Sequence, residues 1–159
     1  MSESDFTGGI LPSSVTARSV PGDKAVSKTP LQDLSVVIVG LGLMGGSLAG
    51  SLRGKCARVV GVARRDETVQ AALEMGLVDE ATTDMPAALA QADVVVLATP
   101  VRVILRQLAE IGPLLPEGCV LMDLGSTKAQ IVAAMQDLPP HVQPLGGHPM
   151  CGKETSGLG

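Results

Sequence analysis

Hydrophobic positions along this chain fall into two alternating rhythms. From Leu34 onward, short runs of Val, Ile and Leu are separated by segments with apolar residues at helical spacing, and no segment repeats another. Ser35-Val-Val-Ile-Val-Gly40 is a β-branched run, and the stretch from about Leu43 to Arg53 reads as the helix after it. Ala57-Arg-Val-Val-Gly-Val-Ala63 is the second strand, and Asp66 to Met75 a helix stopped by Gly76. Asp84 is placed to cap a short helix through Ala90, with Pro86 tolerated in its first turn. Asp93-Val-Val-Val-Leu-Ala-Thr99 is continuously apolar, as a strand buried on both faces of a parallel sheet must be. A helix from about Arg102 to Ile111 leads to a strand at Cys119-Val-Leu-Met-Asp123. Ser126 is placed to cap a helix running to about Asp137, and Gln143 to Gly147 is a candidate last strand. The alternation predicts an α/β fold with a doubly wound, mostly parallel sheet and helices on both faces.

Residues 1 to 33 lack this periodicity and are punctuated by Gly8, Gly9, Pro12, Pro21, Gly22 and Pro30. The expectation is a flexible N-terminal tail followed by one domain over 34–159. Composition then removes several function classes. The 159 residues carry a net charge of −4 and one aromatic residue, Phe6. Nucleic-acid binding needs net positive charge along phosphates or rings on which bases stack, so no nucleic-acid partner is expected. The one uncharged run of membrane-spanning length, Ser35 to Leu52, contains Gly40, Gly42, Gly45, Gly46 and Gly50 with Ser47 and Ser51. It reads as strand, turn and helix start, so no membrane partner is expected. Cys56, Cys119 and Cys151 are odd in number and widely spaced, and no apolar leader precedes them. The N-terminal stretch mixes Glu3, Asp5 and Asp23 with Arg18, Lys24 and Lys28, unlike a transit peptide. A cytoplasmic location is expected.

Gly40-Leu-Gly42-Leu43-Met44-Gly45 is a GxGxxG directly after the first strand and opening the first helix, the Rossmann-type arrangement for binding a dinucleotide. Gly40 permits the tight turn, Gly42 lets the backbone approach a pyrophosphate, and Gly45 lets the helix pack close to the strand. The plainer alternative is a tight turn in some other α/β domain. At the end of the second strand an acid would hold an adenosine ribose 2′-OH, but the chain reads Val62-Ala63-Arg64-Arg65. Arg53, Lys55, Arg58, Arg64 and Arg65 lie together with no acid among them. That suits a 2′-phosphate and predicts NADP over NAD, with a solvated basic face as the alternative. Asp66 serves NAD if the turn is longer than counted.

Thr99-Pro100 and Asp123-Leu-Gly-Ser-Thr-Lys128 end two strands, where open α/β sheets bind ligands. Ser126 has a sufficient reason as a cap and a second one beside a cofactor; Lys128 reads equally as solvated or functional. His148, after two glycines and before a proline, is the residue suited to take a proton near neutral pH. His141 follows Pro139-Pro140 and is given no chemistry. His148 with Cys151 supplies too few ligands for a metal, and Cys151 has no activating base, so no metal site is expected.

Taken together, GLGLMGGSLAG at 40–50, ADVVVLATPV at 92–101, DLGSTK at 123–128 and GGHPMCGKETSG at 146–157 closely resemble the prephenate and arogenate dehydrogenase family of tyrosine, and so aromatic amino acid, biosynthesis. The resemblance covers Leu34 to Gly159. It implies oxidation at the ring carbon bearing a hydroxyl, hydride transfer to the nicotinamide and loss of the ring carboxylate as CO2. His148 would take the hydroxyl proton and Ser126 would orient both partners. Gly40, Gly42, Leu43, Met44, Gly45, Arg64, Arg65, Thr99, Pro100 and Ser126 would bind the cofactor. Lys128, Lys153 and Glu154 are the remaining pocket candidates, and Arg102 is a further cation.

This chain departs from the family's pattern at Ala63-Arg64-Arg65, which looks like its NADP-using members, and at Cys151, where a small residue is common. Family members continue into a helical domain that supplies a dimer interface and the cations for the substrate carboxylates. The chain is therefore read as an N-terminal portion, and a homodimer is expected only with that further domain. The alternatives are a catalytically silent dinucleotide-binding fragment or a 3-hydroxyacid dehydrogenase relative, which offers no reason for the His148 turn.

Overall fold

The computed structural model describes residues 29–147. After a 3-10 turn at Leu31–Asp33, strands and helices alternate: β1 (Ser35–Val39), α1 (Leu43–Leu52), β2 (Arg58–Val62), α2 (Asp66–Glu74), β3 (Glu80–Thr82), α3 (Met85–Leu89), β4 (Val94–Leu97), α4 (Val101–Ile111), β5 (Val120–Asp123), α5 (Ala129–Met135) and β6 (Gln143–Gly146). The sheet order is β3-β2-β1-β4-β5-β6, and every neighbouring pair is parallel. The chain winds outward from β1 to β3, returns through α3 to β4 beside β1, and winds outward again, giving the predicted doubly wound Rossmann-type fold.

Alternation along the strands distributes the core between two layers. Val37, Val39, Val60, Val62, Val95, Leu97 and Leu121 pack with Leu89 of α3, Ile104, Leu108 and Ile111 of α4 and Ile131 of α5. Val36, Ile38, Val59 and Val96 point the other way, against Ala49 of α1 and Ala72 of α2. Both faces are therefore covered, which is why these strands read as unbroken apolar runs.

Two aspartates close the amino-terminal end of the sheet. Asp93, entering β4, donates its N–H to Ser35 O and accepts the Ser35 N–H at Oδ2 over 2.8 Å. Asp79, entering β3, does the same for Val59, accepting its N–H at Oδ2 over 2.8 Å. Each carboxylate thus satisfies an N–H at the beginning of a neighbouring strand, the first of β1 and the second of β2.

Two elements differ from the sequence reading. The strand Glu80–Thr82 has no apolar run to announce it; it is short and partly exposed, and it pairs only with β2. The last helix begins at Ala129, not after Ser126, and ends at Met135. Ser126 is therefore not a helix cap. The turn before α5 is organised by Asp123 and Lys128, as described below. Asp84 does cap α3, accepting the Ala87 N–H at 3.1 Å. Among the described residues, no helix is long and apolar enough to cross a membrane.

Cys119 is 1% exposed at the entrance to β5. Burial, with the nearby Asp93 charge adding to it, pushes its thiol up from near 9 to about 12. Cys56 is raised in the same direction, first by burial and then by Asp79. Folding therefore favours the protonated thiols: the Cys119 contribution is complete below pH 9 and is lost as pH rises toward 12, and the Cys56 contribution is lost in the same direction. Denaturation series between pH 8 and 11 should show stability falling over that range, and Cys119→Ala should flatten the fall.

Candidate functional site

A wholly parallel sheet brings all strand carboxyl ends to one edge, and the reversal of winding leaves a crevice there between β1 and β4. The glycine turn occupies that crevice. Gly40 has φ +100°, and a Cβ on it would lie 2.8 Å from Thr99 Cγ2 and 3.0 Å from Ala98 O. A Cβ on Gly45 would collide with Gly40 O. The protein itself thus accounts for these two glycines. Gly42 is different: its backbone is extended (φ −75°, ψ −165°), and a Cβ there would meet no atom of the described residues within 4 Å. Among the described residues the space over Gly42 is clear and α1 begins with no side-chain cap, which leaves its first N–H groups to an anion. A pyrophosphate fits this cradle, which a Cβ would intrude upon. Leu43, 89% exposed, and the exposed Met44 stand at its mouth.

Arg64 and Arg65 follow β2 at the same edge, both exposed; Arg65 precedes the first residue of α2. Neither side chain has a salt-bridge or hydrogen-bond partner among the described residues. The wider basic cluster read from the sequence does not assemble around them. Arg58 starts β2, about 20 Å down the strand at ~3.3 Å per residue, and pairs with Glu80 at 3.3 Å. Arg53 ends α1 and pairs with Asp79 at 3.3 Å. These two arginines fasten β3 to the opposite end of the sheet, so Arg64 and Arg65 are the pair at the cofactor edge.

Thr99 and Pro100 join β4 to α4. The Thr99 hydroxyl donates to Gln107 Oε1 of α4 at 2.6 Å, and Pro100 stands at the position preceding α4. At the end of β5, Asp123 is completely buried. Its Oδ1 accepts the Gly125 N–H at 2.8 Å and binds Lys128 Nζ, while Oδ2 has no hydrogen-bond partner among the described residues. Lys128, still 28% exposed, is consequently an ion-pair partner of Asp123 and not a free cation. Ser126 is exposed at the crest of the loop held by this pair. From β6, Gly147 donates its N–H to Asp123 O at 3.1 Å, and a Cβ on Gly147 would lie 2.6 Å from that oxygen. Asp123 thus joins the Ser126 loop to the last described residue before His148. His148, Cys151, Lys153 and Glu154 lie outside the described residues. His141 Nε2 is 3.2 Å from Leu115 O, on a connection remote from the glycine turn in sequence.

Asp123 and Gln107 were not singled out from the sequence. The signal for the first is a carboxylate ending an apolar strand; for the second it is an amide among Ile104, Leu108 and Ile111.

Comparison with known proteins agrees with this geometry. The family model described as "Prephenate dehydrogenase, nucleotide-binding domain" matches residues 48–159. The prephenate dehydrogenase of Bacillus subtilis is 37% identical over 132 residues, covering 78% of this chain and 34% of that protein. The crystal structure of prephenate dehydrogenase from A. aeolicus in complex with hydroxyphenyl propionate and NAD+ superimposes with a TM-score of 0.68 at 34% identity, covering 78% of this chain and 44% of that one. Synechocystis arogenate dehydrogenase gives a TM-score of 0.62 at 32% identity, with 77% and 43% covered. The chain thus spans between about a third and under half of the length of these relatives.

Two sets of substitutions test the site's construction. Gly42→Ala should fold, losing no more than about 1 kcal/mol at this helix-entry position, yet lose dinucleotide binding. Gly45→Ala, forced against backbone, should cost about 3 kcal/mol. Lys128→Met should cost about 2–3 kcal/mol, because it leaves Asp123 buried and unneutralised. Chemical denaturation checks the three stabilities and cofactor titration the binding; a Gly42→Ala chain that binds normally would remove the argument from open space.

Proposed function

Because the chain belongs to the prephenate dehydrogenase family and carries its nucleotide-binding domain, we propose that it is the cofactor-binding portion of an NADP-dependent prephenate or arogenate dehydrogenase. The observation that carries this reading is the space over Gly42 at the switch point of the sheet, clear among the described residues, with the Arg64 and Arg65 side chains unpaired among those residues at the neighbouring strand end. Gly40, Gly42, Leu43, Met44 and Gly45 would seat the pyrophosphate and its approaches. The two arginines would hold a 2′-phosphate, since a guanidinium matches phosphate oxygens in pairs. Thr99 and Pro100 would line the crevice from β4.

When bound, the nicotinamide supplies the hydride acceptor. The chain's own groups do the rest. His148 takes the proton of the substrate hydroxyl, so that the C–O bond gains carbonyl character as hydride leaves the same carbon. Ser126, on the exposed loop beside the strand end, orients the hydroxyl and the imidazole. Departure of the ring carboxylate as CO2 then leaves an aromatic ring. Lys128 contributes through its pairing with Asp123, which fixes the loop. Lys153 and Glu154 are weaker assignments at the pocket mouth. The substrate is a small carboxylate-bearing cyclohexadienol, and a homodimer belongs to this reading only together with a helical substrate domain.

Purified chain should bind NADPH, and turnover should appear as NADP reduction with prephenate or arogenate. Binding without any turnover would leave a dinucleotide-binding module and sink the enzymatic claim for this chain. Arg64→Ala with Arg65→Ala should weaken NADP binding about 10- to 100-fold, as expected for lost charge-assisted contacts, and leave NAD binding nearly unchanged. Equal losses for both would remove the 2′-phosphate assignment.

A further inference from the structure

Gln107 interrupts the pattern of the helix that carries it. The buried stripe of α4 is Ile104, Gln107, Leu108 and Ile111, at i, i+3, i+4 and i+7, and only one of the four is polar. An amide in such a stripe costs stability unless its polar atoms are matched, whereas an unbranched apolar residue of similar length would bury there freely. A locally unfavourable choice of this kind points to a role elsewhere.

The match is the Thr99 hydroxyl, 2.6 Å from Gln107 Oε1. Thr99 in turn faces the glycine turn, with Cγ2 standing 2.8 Å from where Gly40 would carry a Cβ. Thr99 therefore stands between α4 and the Gly40 turn. Threonine has more than one staggered arrangement about χ1. With its hydroxyl held on the α4 side, the methyl is the group left to face Gly40.

We propose that Gln107 is a positioning residue for dinucleotide binding: its buried amide holds Thr99 in the rotamer whose methyl supports the Gly40 turn, keeping the approach over Gly42 open to a pyrophosphate. It acts through Thr99 and touches no ligand. The inference rests on the dinucleotide reading above.

The test is NADPH binding to the whole chain, read from the cofactor's own fluorescence because the chain has no Trp and no Tyr, together with thermal unfolding of the same samples. Gln107→Met should hold or raise Tm while weakening NADPH binding about tenfold, the scale of one lost hydrogen bond. Thr99→Val, which keeps a similar shape and loses only the hydroxyl, should give the same loss. The double variant should lose no more than either single one, since both break one link. Wild-type affinity in both single variants overturns the proposal alone. So does a Gln107→Met chain whose Tm and affinity fall together, or losses that multiply in the double variant. A wild-type chain binding neither NADPH nor NADH overturns the dinucleotide reading and this inference with it.

Discussion

The site depends on how closely α1 can cross the end of β1. With a Cβ at Gly45 the helix would be driven off Gly40 O, and with one at Gly40 the turn would meet Thr99 and the Ala98 carbonyl. Those two absences let the helix start where the strand stops, so its unpaired N–H groups open directly above the sheet edge. The third glycine then has meaning of a different kind. None of the described residues requires Gly42 to lack a side chain, which is why that space is assigned to an approaching dinucleotide.

The opposite end of the sheet is fixed with equal care and carries no such openness. Asp93 exchanges hydrogen bonds with the first residue of β1 and Asp79 with the second of β2, while Arg53 pairs with Asp79 and Arg58 with Glu80 of β3. Charge is used there to close the fold. At the carboxyl edge it is left available, at Arg64 and Arg65, or held in a buried pair, at Asp123 and Lys128. The division follows from the parallel topology, which makes one edge the place where helices begin and the other the place where they end.

Most of this fold was legible from the chain because strands covered on both faces advertise themselves as apolar runs, as Val94–Leu97 does. β3 was not, since Glu80-Ala-Thr82 is held by pairing and ion pairs rather than by burial. The tight turn at Gly40 and the close helix packing at Gly45 were legible from the motif. The basic cluster was only half legible: nearness in sequence placed Arg53 and Arg58 with Arg64, whereas a strand's length separates them. Ser126 was read as a cap by its type, but the turn is governed by the buried carboxylate three residues earlier, a contact of the folded chain that spacing alone does not reveal. Gln107 was hidden for a related reason, because its partner Thr99 lies across a strand-to-helix junction.

Pro144 in β6 has a consequence for solubility. Gln143 and Gly147 donate their N–H groups inward, to Cys119 O and Asp123 O, so residues 144 and 146 direct theirs to the outer side of the strand. Proline removes one of those two outward donors. Leu145 is exposed on this border strand, and an uninterrupted row of outward N–H groups beside it would be a template for another chain's strand. With Pro144 in place, the sheet ends in a border that a stray strand cannot fully pair with, and its growth stops at six strands among the described residues.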